Sequence, residues 1–144
     1  MPNGAGGGGG GGIVGVGNSF TGPTEALEIY GDFAAAYSGK LTVANQTKTA
    51  LEFTSGNYLA VLDLFVGFDI TALQSGNEIG YEVHFNGVEV MDVTSNYSAS
   101  WMITGGSAPK FVIPPYTEVR VDLLTDDASG ISMAAMLTGR IYRG

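Results

Sequence analysis

Apolar and polar side chains alternate strictly through most of the chain after Pro23, and this pattern constrains the fold more than any other feature. Between Ile131 and Ile141, apolar residues occupy nearly every second position. A period of two is typical of a β-strand with one buried face, and no segment shows a convincing helical period. About seven or eight such segments, separated by Gly, Asn, Asp and Pro, predict an all-β antiparallel β-sandwich. Jelly-roll topology is favoured, with an immunoglobulin-like sandwich as the alternative.

The longest alternating segment predicts a strand in the middle of a sheet. One side of this strand carries Leu62, Leu64, Val66, Phe68 and Ile70, and the other carries Asp63, Phe65, Gly67 and Asp69. Because both sides include bulky residues, we expect the strand to be central rather than at an edge. Shorter runs around Ile29 and Phe53 alternate in the same way. Phe33 to Tyr37 and Ile70 to Gln74 are each expected to form no more than a turn.

Asn86-Gly87 lies between two alternating runs and predicts a two-residue hairpin. Both central residues of a type I′ turn need positive φ, which Asn and Gly tolerate best. One face of the hairpin is then expected to belong to the core and the other to solvent. The expected register pairs Phe85 with Val88 and Val83 with Val90 on the core face, and His84 with Glu89 and Glu82 with Met91 on the outer face.

A second half-buried strand is predicted for Glu118 to Leu124, after the loop marked by Pro114-Pro115. Its inward positions are Val119, Val121 and Leu123, and its outward positions are Glu118, Arg120 and Asp122. Asp122, Asp126 and Asp127 could offer oxygen ligands to calcium, but their spacing matches no calcium-binding loop. A turn formed by the aspartates at Asp126 to Gly130 is the better interpretation.

The charge balance argues against nucleic acid and against an anionic membrane as partners. The formal net charge is −8, and charged residues make up only 14% of the chain. Affinity for phosphate groups comes from clustered cations, whereas the six cations here are scattered among fourteen carboxylates. These cations are Lys40, Lys48, Lys110, Arg120, Arg140 and Arg143. The absence of cysteine excludes disulfides and thiolate metal sites.

The residues that could perform catalysis do not form a recognisable set. His84 is the only histidine, and no nucleophile turn accompanies it, so a solvent-facing pair with Glu89 is the favoured interpretation. A zinc site would need three or four ligands of the histidine or cysteine type. Glu82 and Glu89 share one side of the hairpin, but nothing distinguishes them as a glycosidase pair. We therefore expect no enzymatic activity, no cofactor and no metal site.

Residues 1–23 are predicted to form a glycine-rich arm ahead of a sandwich domain at 24–144. The seven consecutive glycines Gly6 to Gly12 lose roughly 1–2 kcal/mol of backbone entropy per residue on ordering and have no side chains to bury in return. Ordering this tract therefore requires an outside partner, most simply a neighbouring subunit. The aliphatic residues Ile13, Val14 and Val16 could join that contact. The arm carries no charged side chain, which favours a protein neighbour over a genome.

Aromatic residues in the loop-rich region after the hairpin are candidates for binding. Tyr97, Trp101 and Tyr116 lie in or beside loops of this region. Such residues can stack on sugars or contact a protein partner. The equally weighted alternative is that Trp101 and its neighbour Met102 close one end of the core.

The chain as a whole resembles the jelly-roll decoration, or cement, proteins of tailed phages. The resemblance covers the glycine-rich arm, the acidic sandwich and the endings Val119-Arg-Val-Asp-Leu-Leu-Thr-Asp-Asp and Leu137-Thr-Gly-Arg-Ile-Tyr. It implies a protein of the capsid exterior that oligomerises and stabilises the shell. Its partners would be the major capsid protein and copies of itself, with a trimer favoured over a dimer. The arm would then bind neighbouring subunits.

Other functions remain open from the sequence alone. A receptor- or glycan-binding module of a phage tail or spike would place the aromatic loops outward. A single-jelly-roll shell protein would form the capsid itself, although the uncharged arm and small size count against it. A small hydrolase would need a deep cleft with two carboxylates. A secreted adhesin module would be expected to bring a signal sequence, and the start Met-Pro-Asn-Gly does not resemble one.

Overall fold

The computed structural model describes residues 27–69, 77–96 and 108–143, and within these ranges every regular element is a β-strand. There are ten strands in the described ranges. They are β1 (Glu28–Tyr30), β2 (Phe33–Tyr37), β3 (Leu41–Val43), β4 (Gln46–Thr54), β5 (Leu59–Phe68), β6 (Glu78–Phe85), β7 (Val88–Asn96), β8 (Lys110–Ile113), β9 (Glu118–Thr125) and β10 (Ile131–Tyr142). None of the described segments is a helix that could span a membrane.

Two antiparallel sheets form a β-sandwich, as the alternation predicts. The six-stranded sheet has the order β1-β2-β10-β5-β8, with β3 also paired to β10, and the four-stranded sheet has the order β4-β9-β6-β7. The pairs are nested along the chain: β3 with β10, β4 with β9, β5 with β8 and β6 with β7. β5 lies between β10 and β8, which confirms its expected interior position.

The core consists of the inward residues of both sheets. Fully buried large side chains include Leu62 and Leu64 on one sheet and Val119 and Leu123 on the other. Near one end, the rings of Phe85 and Phe111 meet edge to face across the two sheets, with centroids 5.9 Å apart. The buried set follows the period of two through each of these strands, so apolar burial fixes which strand faces point inward.

The expectation of a mere turn at Phe33 to Tyr37 is wrong, because this segment is strand β2. Ala34 and Ala36 are buried, while Phe33 and Tyr37 are exposed. The segment lacks polar alternation, so its local sequence does not resemble a half-buried strand. Pairing with β10 decides its structure instead. The ladder continues past the strand end, where Ser38 N donates to Ala135 O at 3.0 Å and Ala135 N donates to Ser38 Oγ at 2.9 Å.

The predicted hairpin is present, but half of its predicted register is wrong. Asn86 and Gly87 have φ of 51° and 82°, and Phe85 pairs with Val88 and His84 with Glu89 as expected. A β-bulge then shifts the ladder, so that Val83 pairs with Met91 and Glu82 with Asp92. The inserted residue is Val90, and both Val88 and Val90 are exposed rather than in the core. A bulge reverses the alternation downstream of it, which a period-two reading cannot detect.

Candidate functional site

The outer side of the six-stranded sheet is unusually apolar, and we call it the apolar face. Among the described residues, seven of the ten exposed large apolar or aromatic side chains project from this side of the sandwich. They are Tyr30, Phe33, Tyr37, Leu59, Phe65, Val112 and Tyr142. Each occupies the outward phase of a strand whose alternate residues are buried or partly buried. The face is therefore a feature of five adjacent strands and not of a single loop.

Cross-strand pairing arranges these residues in rows. One row joins Tyr37, Met136 and Phe65 through β2, β10 and β5. A second row contains Phe33 and Arg140, and the guanidinium of Arg140 lies 4.9 Å from the centre of the Phe33 ring. Neighbours in such rows contact each other directly. Between these two rows runs a third, polar row that contains Thr138, Asp63 and Lys110. The apolar face therefore consists of two apolar regions on either side of this row.

A shallow depression of about 510 Å³ interrupts the apolar face. Tyr37, Phe65 and Met136 line its sides, and Gly67 and Ala134 lie between them. Gly67 and Ala134 form one cross-strand pair with almost no side chain. The depression therefore exists because a small pair adjoins a row of three large residues.

Most charged groups of the apolar face are paired within the chain, and two of them, Asp63 on β5 and Arg140 on β10, lie inside the face rather than at its border. Lys110 Nζ lies 2.9 Å from Asp63 Oδ1. Arg140 and Arg143 both approach Asp32, at 3.9 Å and 3.7 Å. Together with Glu28, which lies opposite Ala35, these groups add up to three cations and three carboxylates. The apolar face thus has no net formal charge, although the chain has a formal net charge of −8.

The outer side of the four-stranded sheet is different, and we call it the acidic face. In the described part of the chain its carboxylates outnumber its cations, since Arg120 is the one cation in a set with seven acids. These acids are Glu52, Glu78, Glu82, Glu89, Asp92, Glu118 and Asp122. One cross-strand row places Thr49, Asp122, Glu82 and Asp92 side by side, and the adjacent row places Glu52, Arg120, His84 and Glu89.

Asp122 is buried, although its position in the alternation predicts an outward side chain. Its residue exposure is only 5%. Thr49 Oγ1 donates to Asp122 Oδ1 at 2.8 Å, and Arg120 Nε donates to Asp122 Oδ2 at 3.2 Å. These two neighbours satisfy both carboxylate oxygens and cover the group. A charge-assisted hydrogen bond of this kind is stronger than one between neutral groups.

His84 lies opposite Glu89, as predicted, but its side chain is largely covered rather than solvent-facing. Only 12% of the His84 side chain is exposed. Its Nε2 is 3.9 Å from both Glu82 Oε1 and Glu89 Oε1, and its Nδ1 is 3.9 Å from Asp122 Oδ2. None of these distances is short enough for a hydrogen bond. Nδ1 is buried and has no hydrogen-bond partner.

The surroundings of Glu82 favour the protonated form of its carboxyl group. Partial burial raises the pKa of the Glu82 carboxyl, and the nearby charges of Glu89 and Asp92 raise it further. Glu82, His84 and Asp122 each place one possible ligand atom within 4.8 Å of the others, as do Glu82, Glu89 and Asp92. Divalent cations bind carboxylate and imidazole ligands. The Asp122 carboxylate, however, already accepts hydrogen bonds from Arg120 and Thr49. The expectation that the protein holds no metal stays a prediction.

The three aspartates considered for calcium do not form one site. Asp126 Oδ1 accepts from Glu78 N at 2.8 Å, and Asp127 Oδ1 accepts from Ser129 N and Gly130 N at 2.9 Å and 3.1 Å. Ser129 Oγ also donates to Asp127, and this bond chiefly lowers the pKa of the Asp127 carboxyl. Asp122 belongs instead to the acidic face. The turn interpretation of Asp126 to Gly130 therefore agrees with the hydrogen bonding.

Of the residues predicted to bind a partner, the structure describes one. Tyr116 is 66% exposed in the turn between β8 and β9, with a φ of 55°. The other predicted residues lie outside the described ranges: Gly6, Gly7, Gly8, Gly9, Gly10, Gly11, Gly12, Ile13, Val14, Val16, Tyr97 and Trp101. The apolar face was not predicted. The available signal was the presence of large apolar residues such as Phe65 and Tyr142 at positions that alternation assigns to the outside.

Comparison with protein-family models, with curated proteins and with solved structures gave no match. Function must therefore be argued from the chain's own surfaces.

Proposed function

We propose that this chain is a structural protein of a virus particle, a capsid decoration or cement protein on the capsid exterior. Its partners would be the major capsid protein and copies of itself. The observation that supports this most directly is the apolar face. Monomeric soluble proteins rarely expose a contiguous apolar patch larger than a few hundred Å², and larger patches usually contact other proteins or membranes. Rings such as Phe33 and Phe65 are the residue types that stabilise protein interfaces.

The character of the two faces favours a binding role over catalysis. The depression on the apolar face is lined by apolar groups and lacks convergent acids or bases. The titratable cluster around Glu82 and His84 lies on the outer surface of a sheet, where a substrate would not be enclosed. Enzymes usually exclude water from their reacting groups. We therefore retain the expectation of a non-enzymatic protein.

We also infer that the sandwich is a jelly roll rather than an immunoglobulin-like fold. The nested pairing of β3 with β10, β4 with β9, β5 with β8 and β6 with β7 supports this. In a jelly roll, one long antiparallel hairpin is wrapped into two sheets, and its strand pairs are therefore nested along the chain. In this description β2 and β3 together form the first strand, since both pair with β10.

The glycine-rich arm would attach the sandwich to the capsid. An extended chain spans about 3.3 Å per residue, so about twenty residues could cross a neighbouring subunit. Backbone without side chains can enter narrow crevices and pair with an exposed sheet edge. Several arms on one oligomer would then multiply modest contacts.

Deletion of Met1 to Gly17 tests the proposal. The shortened chain should keep the circular dichroism spectrum of a β-sheet protein. It should be missing from virus particles that are purified on a density gradient from a culture in which the shortened chain is expressed. Peptide mass spectrometry of the purified particles measures the occupancy. Normal occupancy by the shortened chain would show that the arm does not attach the protein. Recovery in isolated tails instead of capsids would favour the receptor- or glycan-binding module.

A further inference from the structure

We infer that the apolar face is covered by the same face of a second copy of this chain, so that two sandwiches form a two-fold pair. This rests on the proposed function in that it identifies the partner for the apolar face. It also departs from the trimer that the resemblance implies. The inference is based on charge, on the distribution of apolar surface, and on area.

Charge favours a second copy as the occupant. The apolar face and its border together have three cations and three carboxylates, and Asp63 and Asp32 are already paired within the chain. Two apolar faces can therefore approach each other without net repulsion, even though each copy has a formal net charge of −8. The acidic face could not pair with itself in the same way, because like charges that meet at an interface cost several kcal/mol.

The distribution of apolar surface favours two-fold symmetry. In a ring of three copies, the apolar face of one copy would contact a different patch of the next. No other face of comparable apolar character exists in the described part of the molecule, where the remaining exposed large residues are Val88, Val90 and Tyr116. Among the described surfaces, only an isologous contact, in which the same patch meets itself, buries the apolar face against an equally apolar surface.

The area is sufficient for a specific interface. The path β1-β2-β10-β5-β8 contains five strands. With strands about 4.8 Å apart and about seven residues at a rise of about 3.3 Å, the face measures roughly 550 Å². Two such faces in contact bury about 1,100 Å², which clears the roughly 1,000 Å² needed for a biological interface and lies at the small end of the range for specific ones. The depression beside Phe65 offers space for a ring of the other copy.

The chain's own arm is the competing occupant. It joins the sandwich through Leu27, directly before the edge strand β1, and could reach the apolar face from there. However, the arm has five large apolar residues spread among its glycines, against seven large side chains on the face. These five are Met1, Ile13, Val14, Val16 and Phe20, so the arm has fewer large side chains than the face it would have to cover.

The experiment is sedimentation equilibrium of the purified full chain, compared with two charge-introducing variants. Phe65 and Val90 are each 46% exposed, Phe65 on the apolar face and Val90 on β7. The full chain and Val90→Glu should both have the mass of two copies. Phe65→Glu should weaken association by at least about 30-fold, the size expected for an interface hot spot. A single copy or three copies for the full chain, or an unchanged pair in Phe65→Glu, would overturn the inference.

A second matched pair covers the case in which Phe65→Glu does not fold. Val112 and Val88 are both exposed valines, Val112 on β8 of the apolar face and Val88 on β7. Val112→Glu should weaken association by about 10-fold because it lies near the border, while Val88→Glu should leave it unchanged. Equal effects of the two substitutions would contradict the inference.

Removal of residues 1–23 separates the competing occupants. If the second copy covers the apolar face, the truncated chain still forms pairs, whereas dissociation into single copies would assign the contact to the arm and overturn the inference. The outcome is also distinguishable from a failure of the proposed function. A pair that forms in solution but never enters particles contradicts the capsid role alone, and a single-copy protein that enters particles contradicts the pair alone.

Discussion

The two outer faces of the sandwich share the same strand geometry but have opposite chemistry. The apolar face displays rings such as Phe33 and Phe65, and most of its charges are paired within the chain. The acidic face displays a row of carboxylates that includes Asp122 and Glu82, with Arg120 as the one cation among its described residues. Both sheets bury the same kind of inward residues. The inward set therefore explains the fold, and the proposed contact between two copies rests on the difference between the outward sets.

The largest effect on stability is expected at Gly139, where the backbones of β5 and β10 approach each other closely beneath the apolar face. A Cβ at Gly139 would collide with the backbone oxygen of Val61, so Gly139→Ala should lower the free energy of unfolding by about 3 kcal/mol. Gly67→Ala on β5 is the control, since nothing lies within 4 Å of its added Cβ. Urea unfolding measures both. Equal stability of the two variants would mean that the backbones of β5 and β10 leave room for a Cβ at Gly139.

A smaller effect is expected from the buried carboxylate of the acidic face. Thr49→Val removes the hydroxyl that donates to Asp122 while keeping the β-branched shape, and it should cost about 1–2 kcal/mol because the carboxylate is buried. Thr54→Val is the control on the same strand, where the exposed side chain should tolerate the change within about 0.5 kcal/mol. Chemical denaturation at neutral pH provides the comparison. If Thr54→Val were as costly as Thr49→Val, the hydrogen bond would not be the cause.

The smallest expected effect differs in sign between the two faces. Glu82→Gln should stabilise the protein at neutral pH by less than about 1 kcal/mol, because it removes a charge from a row of like charges. Asp63→Asn on the apolar face should be neutral or slightly destabilising, because it breaks the exposed pair with Lys110. Thermal unfolding of both variants beside the parent protein measures the difference. If Glu82→Gln and Asp63→Asn both raised the stability, the two faces would not differ in how their charges affect folding.

The pH dependence of the Glu82→Gln effect follows from the raised pKa of Glu82. Above that raised pKa, the carboxylate is charged in both the folded and the unfolded state, and the folded state bears the full repulsion. As pH falls through the folded pKa, Glu82 takes up a proton in the folded state and the penalty disappears. Below the ordinary value of 4.5, the group is neutral in both states. The advantage of Glu82→Gln should therefore vanish in acid, and a constant advantage would rule out charge as its cause.

Much of the sandwich could be predicted from the sequence because its signals are local. Alternation locates β5, β9 and β10, and Asn86-Gly87 identifies the hairpin. The bulge at Val90 could not be predicted, since it depends on how β7 pairs with β6. Phe33 to Tyr37 became a strand through pairing with β10, about one hundred residues later in the chain.

The candidate site was harder to predict than the fold because it depends on the outward residues. An alternating sequence separates the inward side chains of a strand from the outward ones. It does not show which outward residues of two distant strands become neighbours. Phe65 and Met136 are neighbours only because β5 and β10 pair. Asp122 is buried only because Thr49 and Arg120 cover it, and Thr49 belongs to a strand far away in sequence.

The nested pairing of the strands has a consequence for the order of folding during synthesis. The innermost pair, β6 with β7, is closed by a two-residue turn and can form early, whereas the outermost strand, β10, is made last. Contacts between segments distant in sequence form slowly. β10 is also the middle strand of the apolar face, joining β2 to β5. A nascent chain that lacks β10 therefore has no complete apolar face, and the proposed pairing of two copies has to wait until β10 has been made.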